Sequence, residues 1–192
     1  SMTVVGQITS LITAAATSIL FSSLSRLQND NNNFNQFFLK FQKILAWFII
    51  PLGVGIFCYR DIVTQILLGS QWSESSLFIG IWGGTSSLMI VYAHFSSELF
   101  RAKGKPRISV LAQLIHIMIL IPVVLISVNY GFLTLCIFRT LVRFQDLLVK
   151  VFLTYKITGI NPLTMIKNTY MYIIASIIMA ISSYFLMKYD GV

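Results

Sequence analysis

Charged residues are scarce in this chain of 192 residues: they make up 10% of it, and only six of them are acidic. Hydrophobic residues make up 56%. A typical soluble domain carries about 25% charged residues because its surface faces water. This chain has too little polar surface to cover a water-soluble core. The composition therefore excludes an ordinary soluble domain and predicts that lipid is the solvent.

Reactive and metal-binding residues are also few. The two cysteines, Cys58 and Cys136, lie among apolar residues and have neither metal-ligand nor Cys-x-x-Cys spacing. The chain contains no His-Glu-x-x-His, Gly-x-Ser-x-Gly or P-loop pattern. We therefore expect no enzyme activity, no metal ion and no cofactor.

The net charge of +8 is a possible sign of a nucleic-acid-binding protein. Such a protein needs its basic residues clustered on one surface. In this chain, apolar stretches separate the basic residues from one another. We therefore expect no nucleic-acid partner and look to membrane topology for the origin of the charge.

Long apolar segments are what the chain has in abundance. About 20 residues at roughly 1.5 Å each cross the ~30 Å hydrocarbon layer as a helix, which satisfies its own backbone hydrogen bonds. Six segments approach or reach that length: Met2–Leu24, Ile44–Tyr59, Leu77–Ser97, Ile108–Val128, Phe132–Leu153 and Tyr170–Met187. The sequence therefore predicts an all-α fold, a polytopic bundle of six transmembrane helices.

Basic residues alternate between the two sides of these spans. One side has Arg60 and Lys188. The other side, formed by the first, third and fifth connections with the adjoining span ends, has ten: Arg26, Lys40, Lys43, Arg101, Lys103, Lys105, Arg107, Lys150, Lys156 and Lys167. Because cytoplasmic loops collect Lys and Arg, this side is predicted to face the cytoplasm, and the first span to run inward.

Three short segments beside the spans have amphipathic helical spacing: residues 34–41, Ile62–Leu68 and Leu163–Thr169. Such segments are typical of helices that lie in the membrane interface. We expect all three to do so, and the second to end at Gly69.

Proline and glycine interrupt three of the spans, at Pro51–Gly55, at Gly83-Gly84 and at Pro122. Small residues allow close helix packing, and both residue types are common in membrane helices. They can also act as hinges in a conformational cycle. Both interpretations remain open from the sequence.

Two polar features of the spans have alternative interpretations. His94 and Glu98 are four residues apart, so they share a helix face as a possible proton-binding or polar pair. An interfacial hydrogen bond is the more common arrangement. His116 stands alone in the fourth span, where we expect it to bond to a neighbouring helix.

The fifth span carries four charges at spacings of four, three and four residues: Arg139, Arg143, Asp146 and Lys150. At ~100° per residue they form one narrow stripe. Charge facing lipid is costly, so the stripe is predicted to face protein or a water-filled cavity. One interpretation is a structural salt bridge between Arg143 and Asp146. The other is a substrate site for an anion, since two positive charges remain in surplus and the guanidinium fork suits phosphate.

Four short motifs in order resemble a known family. They are Ser25–Asp30, a loop closing one span; Pro51–Gly55, the centre of the next; Leu67–Trp72, the turn after it; and Arg101–Pro106, an Ala-x-Gly-Lys type of loop. The chain is similar to the C-terminal half of a Wzx-type polysaccharide flippase of the multidrug/oligosaccharidyl-lipid/polysaccharide exporter superfamily.

The resemblance implies that residues 1–192 are the C-terminal transmembrane lobe of a longer, MATE-like transporter, equivalent to spans eight to thirteen of fourteen. It implies a location in the bacterial inner membrane, contact with membrane lipids, and an N-terminal lobe as partner. Its cargo would be an undecaprenyl-linked oligosaccharide, exported by alternating access between the lobes. Two other functions remain open: a MATE-type drug or cation antiporter, and a membrane scaffold that transports nothing.

Overall fold

The computed structural model describes residues 17–189, and every regular element in that range is a helix. The predicted all-α class is therefore confirmed. The α-helices are α1 over residues 17–26, α2 Asn31–Cys58, α3 Arg60–Leu68, α4 Ser76–Met89, α5 Ser96–Ala102, α6 Pro106–Ser127, α7 Phe132–Thr158 and α8 Pro162–Tyr189. Two 3-10 helices, Ser70–Ser75 and Val128–Tyr130, and one π-helical turn, Ile90–His94, connect them.

Within the described part of the chain, four helical runs are long and apolar enough to cross a membrane: Asn31–Cys58, Ser76–Ala102, Pro106–Tyr130 and Pro162–Ser183. They correspond to the second, third, fourth and sixth predicted spans. The first predicted span, Met2–Leu24, lies largely outside the described residues. The fifth corresponds to α7, a helix of 27 residues whose charged stripe makes it less apolar than these four.

The predicted interfacial helices at residues 34–41 and Leu163–Thr169 are wrong. Residues 34–41 are part of α2, a continuous helix of 28 residues, and Leu163–Thr169 is part of α8. Phe34 and Met165 are fully buried in the hydrophobic core. Their apolar faces pack on other helices instead of on lipid headgroups. The remaining predicted segment, Ile62–Leu68, belongs to a separate helix, α3, which ends before Gly69 at φ 92° as expected.

The helices pack in a definite order. Helix α2 lies between α8 and α4, and α7 lies between α4 and α6. The hydrophobic core joins α1, α2, α5 and α8, through Leu24, Phe34, Phe100 and Met165. Helix α7 is thus held on two sides by the helices that can surround its charged stripe.

The three basic connections lie at one end of the bundle. Lys103 Nζ donates hydrogen bonds to Gln28 O at 3.0 Å and to Asn31 Oδ1 at 2.7 Å. Asn35 Nδ2 donates to Thr158 O at 3.0 Å, which brings in the connection after α7. This arrangement is the one that the alternation of basic residues predicts.

The start of α2 at this end is capped by Asp30, whose Oδ1 accepts the backbone N–H groups of Asn32 and Asn33 at 3.1 Å each. Hydrogen bonds from Asn33 hold the pKa of Asp30 below its ordinary value. The carboxylate therefore stays ionised at neutral pH, and its negative charge stabilises the N-terminus of α2.

Cysteine labelling tests which side of the membrane this end faces. Single cysteines at Ser70 and Asn129 should react in intact cells with an impermeant maleimide, whereas one at Lys103 should react only after permeabilisation. The reason is the preference of basic loops for the cytoplasm. The comparison is made in a background that lacks Cys58 and Cys136. Labelling of Lys103→Cys from outside would reverse the orientation.

Glycines bring α2 and α4 into close contact. A Cβ atom at Gly83 would lie 2.5 Å from Ile56 Cγ2, and one at Gly53 would overlap Ser87 Cβ. A Cβ at Gly84 would have no described atom within 4 Å. Close packing therefore accounts for Gly53 and Gly83, and helices α2 and α6 continue through Pro51 and Pro122.

Gly83→Ala should destabilise the protein and Gly84→Ala should not. Overpacking at a tight contact costs about 1 to 3 kcal/mol. The two glycines are adjacent on one helix, so Gly84→Ala is a matched control for helix propensity. The thermal unfolding midpoint of the purified protein in detergent measures both. Equal midpoints for the two variants would show that the α2–α4 contact is looser than described.

Candidate cation-lined cavity

The charged stripe of α7 borders a cavity of ≈ 260 Å³. Arg139, Arg143 and Asp146 contribute from α7, and the remaining lining residues come from α4 and α6: Trp82, Met89, His116 and Leu120. Because α7 is helical throughout, the four-residue and three-residue spacings keep these side chains on one face. Lys150, the fourth member of the stripe, does not line the cavity.

Both arginines lie against Trp82. The guanidinium carbon of Arg143 is 3.7 Å from the centroid of the Trp82 ring, and that of Arg139 is 5.6 Å away. Arg143 Nη1 also donates to Ser86 Oγ at 2.9 Å. Cation–π contact and this hydrogen bond fix Arg143 against α4. Since Ser86 occupies one of its five N–H donors, Arg143 keeps donors for a ligand in the cavity.

Asp146 pairs with Lys150. Lys150 Nζ lies 2.8 Å from Asp146 Oδ2, and Asp146 is 4% exposed. The interpretation of a salt bridge between Arg143 and Asp146 is therefore wrong, because Arg143 turns towards Trp82 and Ser86. Lys150 neutralises Asp146 and leaves the two positive charges at Arg139 and Arg143 uncompensated within the described stripe.

Residues 1–77 match one protein-family model. That family is described as "Polysaccharide biosynthesis protein". No curated protein and no solved structure matches the chain. Together with the apolar helices, the match supports a membrane protein related to polysaccharide biosynthesis. The matched residues include α2 and α3 and end at the start of α4, so every residue that lines the cavity lies beyond them.

Three residues of this site were not expected from the sequence as members of it: Trp82, Ser86 and His116. Trp82 and Ser86 are uncharged and lie in another span, so only the packing of α4 on α7 brings them to the stripe. His116 was expected to bond to a neighbouring helix, yet its buried Nδ1 has no hydrogen-bond partner among the described residues. The position of His116, as a lone polar residue in the middle of an apolar span, was the feature of the sequence that could have indicated its place in the site.

His94 and Glu98 do not join this site. Glu98 Oε2 accepts a hydrogen bond from Arg101 Nη1 at 3.0 Å, and the His94 ring packs edge-on against Phe95. No hydrogen bond joins His94 to Glu98 among the described residues. The π-helical turn Ile90–His94 and the non-helical Phe95 interrupt the helix, so a spacing of four no longer gives one face.

A second cavity, of ≈ 320 Å³, lies between α7 and α8, and Leu88 of α4 and Tyr92 of the π-helical turn also line it. Phe144, Leu148 and Val151 of α7 and Ile166 of α8 contribute to its almost wholly apolar wall. It offers no charged group to a ligand. Among these two cavities, the one beside Trp82 is thus the candidate site for a polar or charged molecule.

Proposed function

We propose that the chain is one lobe of a bacterial inner-membrane flippase that moves an undecaprenyl-linked oligosaccharide to the outer leaflet. The match of residues 1–77 to a polysaccharide biosynthesis family supports the substrate class. The four apolar helical runs support a protein embedded in lipid. In this proposal the other lobe is the N-terminal part of the same transporter, and the protein makes or breaks no covalent bond.

The observation that carries the proposal is the pair of arginines stacked on Trp82 beside a cavity. Two uncompensated guanidinium groups within a membrane-embedded helix favour an anionic ligand. Their planar donor geometry suits the phosphate groups that link a glycan to its lipid carrier. The arginines would hold the pyrophosphate, and the lipid tail would stay in the bilayer.

The exposure of the stripe agrees with a site shared between two lobes. Arg139 is exposed, Arg143 is partly buried, and Asp146 is buried. An exposed arginine within the depth of the membrane needs a partner surface or water, which a facing lobe would supply. Rocking of the two lobes would then open the site to one side of the membrane at a time.

A cation-coupled antiporter would use an intramembrane carboxylate to bind its coupling ion. Asp146 is the acidic residue within the spans that is placed for this role, and Lys150 already neutralises it. This pairing favours the flippase over the antiporter. A scaffold without transport activity does not require two arginines without described acidic partners beside a cavity, so the cavity favours a transporter.

The test is complementation. The full-length transporter that contains this lobe should restore surface glycan in a bacterial strain that lacks its own flippase, and residues 1–192 alone should not. Resistance to cationic drugs without restored glycan would favour the antiporter. Neither effect, at a normal membrane level of the protein, would favour the scaffold and overturn the proposal.

A further inference from the structure

Besides the two arginines, the cavity is lined by two residues with buried polar atoms that have no hydrogen-bond partner among the described residues. Asp146 Oδ2 is bound by Lys150, but Asp146 Oδ1 is buried and has no hydrogen-bond partner among the described residues. His116 Nδ1, on another helix, is in the same condition. Both residues line the cavity that Arg139 and Arg143 line.

Buried polar atoms of native proteins are nearly always hydrogen-bonded, so each exception requires an explanation. An ionised carboxylate only accepts hydrogen bonds, and the ion pair with Lys150 engages Oδ2 and leaves Oδ1 free to accept. A ligand that binds Oδ1 therefore brings a hydrogen-bond donor to it. A fully ionised phosphate has no donor and would be repelled by this oxygen. A hydroxyl group has the required donor, and its oxygen can also accept from an imidazole N–H of His116.

We propose that Asp146 and His116 bind a hydroxyl group next to the phosphate held by the two arginines. The cavity then selects a phosphate ester with a neighbouring hydroxyl over a phosphate without one. This inference rests on the proposed function, which supplies the phosphate. The volume of ≈ 260 Å³ is just below the ~300–1,000 Å³ of ordinary ligand sites and suits a phosphate with one hydroxylated unit.

Two molecules in a bacterial membrane have this chemistry: a glycosyl phosphate at the lipid end of a glycan, and the glycerophosphate headgroup of a phospholipid. Three soluble probes isolate the chemistry. Methyl phosphate, glycerol 3-phosphate and glucose 1-phosphate share a phosphate monoester, and only the last two carry hydroxyl groups. Phosphatidylglycerol added to the micelles tests the phospholipid itself.

Trp82 provides the readout, because it contacts both arginines. The chain has three tryptophans, and Trp47 and Trp72 are 58% and 50% exposed. Replacing those two with phenylalanine leaves Trp82 as the single fluorophore. The purified full chain is titrated with each probe in a detergent free of phosphate and sugar, and the Kd values are compared.

We expect either glucose 1-phosphate or glycerol 3-phosphate to bind with a Kd about tenfold or more lower than that of methyl phosphate. A hydrogen bond to a charged group contributes that much to binding. His116→Leu and Asp146→Asn should each reduce this ratio towards one. Asp146→Asn should also strengthen methyl phosphate binding, because a negative charge is removed. Gln145→Leu is the matched control: its Oε1 is also buried without a described partner, but it does not line this cavity.

The outcomes separate the two proposals. No binding of any probe or of phosphatidylglycerol would overturn the phosphate site and this inference together. Equal Kd values for methyl phosphate and both hydroxylated probes would overturn the inference and leave the phosphate site intact. So would a ratio that both cavity variants leave unchanged. Preferential binding of glucose 1-phosphate supports a glycan source, and preferential binding of glycerol 3-phosphate and phosphatidylglycerol supports a phospholipid source.

Discussion

Replacing Arg143 with alanine in the proposed full-length flippase should reduce glycan export more than tenfold, while the level of the protein in the membrane stays near normal. Arg143 contacts neutral partners, Trp82 and Ser86, so its removal leaves no buried charge unpaired. A hydrogen bond to a charged ligand contributes about 1.5 to 3 kcal/mol, which a bidentate contact exceeds. Surface glycan in the complementation strain measures export, and immunoblotting of membranes measures the level.

Two further variants make this result specific. Arg143→Lys should restore export only in part, because an ammonium replaces the bidentate fork with a point charge. Lys40→Ala removes the same charge from an exposed position on α2, away from the cavity, and should export normally. A loss of protein from the membrane in Arg143→Ala would show that this arginine holds the fold, and normal export would remove it from the substrate site.

Replacing Lys150 with alanine should destabilise the protein strongly. The change strands the Asp146 carboxylate, which is 4% exposed, without its ion-pair partner. Breaking a buried pair from one side typically costs about 3 to 5 kcal/mol, because the remaining charge keeps its desolvation cost. The unfolding midpoint in detergent and the membrane level of the protein should both fall.

The double change Lys150→Ala with Asp146→Ala separates this cause from a general intolerance of α7. Removing both charges should restore most of the lost stability. Arg143→Ala combined with Asp146→Ala should give no such restoration, since the two residues are not paired. If the first double variant remains as unstable as Lys150→Ala, the destabilisation comes from lost packing of the lysine stem.

The sequence predicts what depends on local pattern. Apolar length gives the helical class, and the spacing of Arg139, Arg143 and Asp146 gives the stripe because a regular helix fixes their angles. Spacing does not give the partner of Asp146. Arg143 is three residues before it and Lys150 four residues after it, and both distances suit an ion pair. Trp82 and Ser86 bind Arg143 and so leave Lys150 to pair with Asp146. Both belong to α4, which is distant from α7 in the sequence.

The failed interfacial helices have a similar origin. The phenylalanines of residues 34–41 form an apolar face that fits a membrane interface and a protein core equally well. Residues 34–41 pack on other helices because α1, α5 and α8 meet at this end of the bundle. Nothing in residues 34–41 specifies which other segments will be their neighbours.

The π-helical turn Ile90–His94 also fixes how the helical segments before and after it are rotated relative to each other about the helix axis. A π turn contains one residue more than an α turn, and one residue corresponds to ~100° around a helix axis. On one side of the turn, Trp82 and Ser86 face the arginines of α7; on the other, Leu99 and Phe100 are buried in the core. Insertion or deletion of a single residue in this turn would rotate the side chains of α4 relative to those of α5 by ~100°. The direction of the Trp82 ring is thus encoded partly by five residues that do not line the cavity.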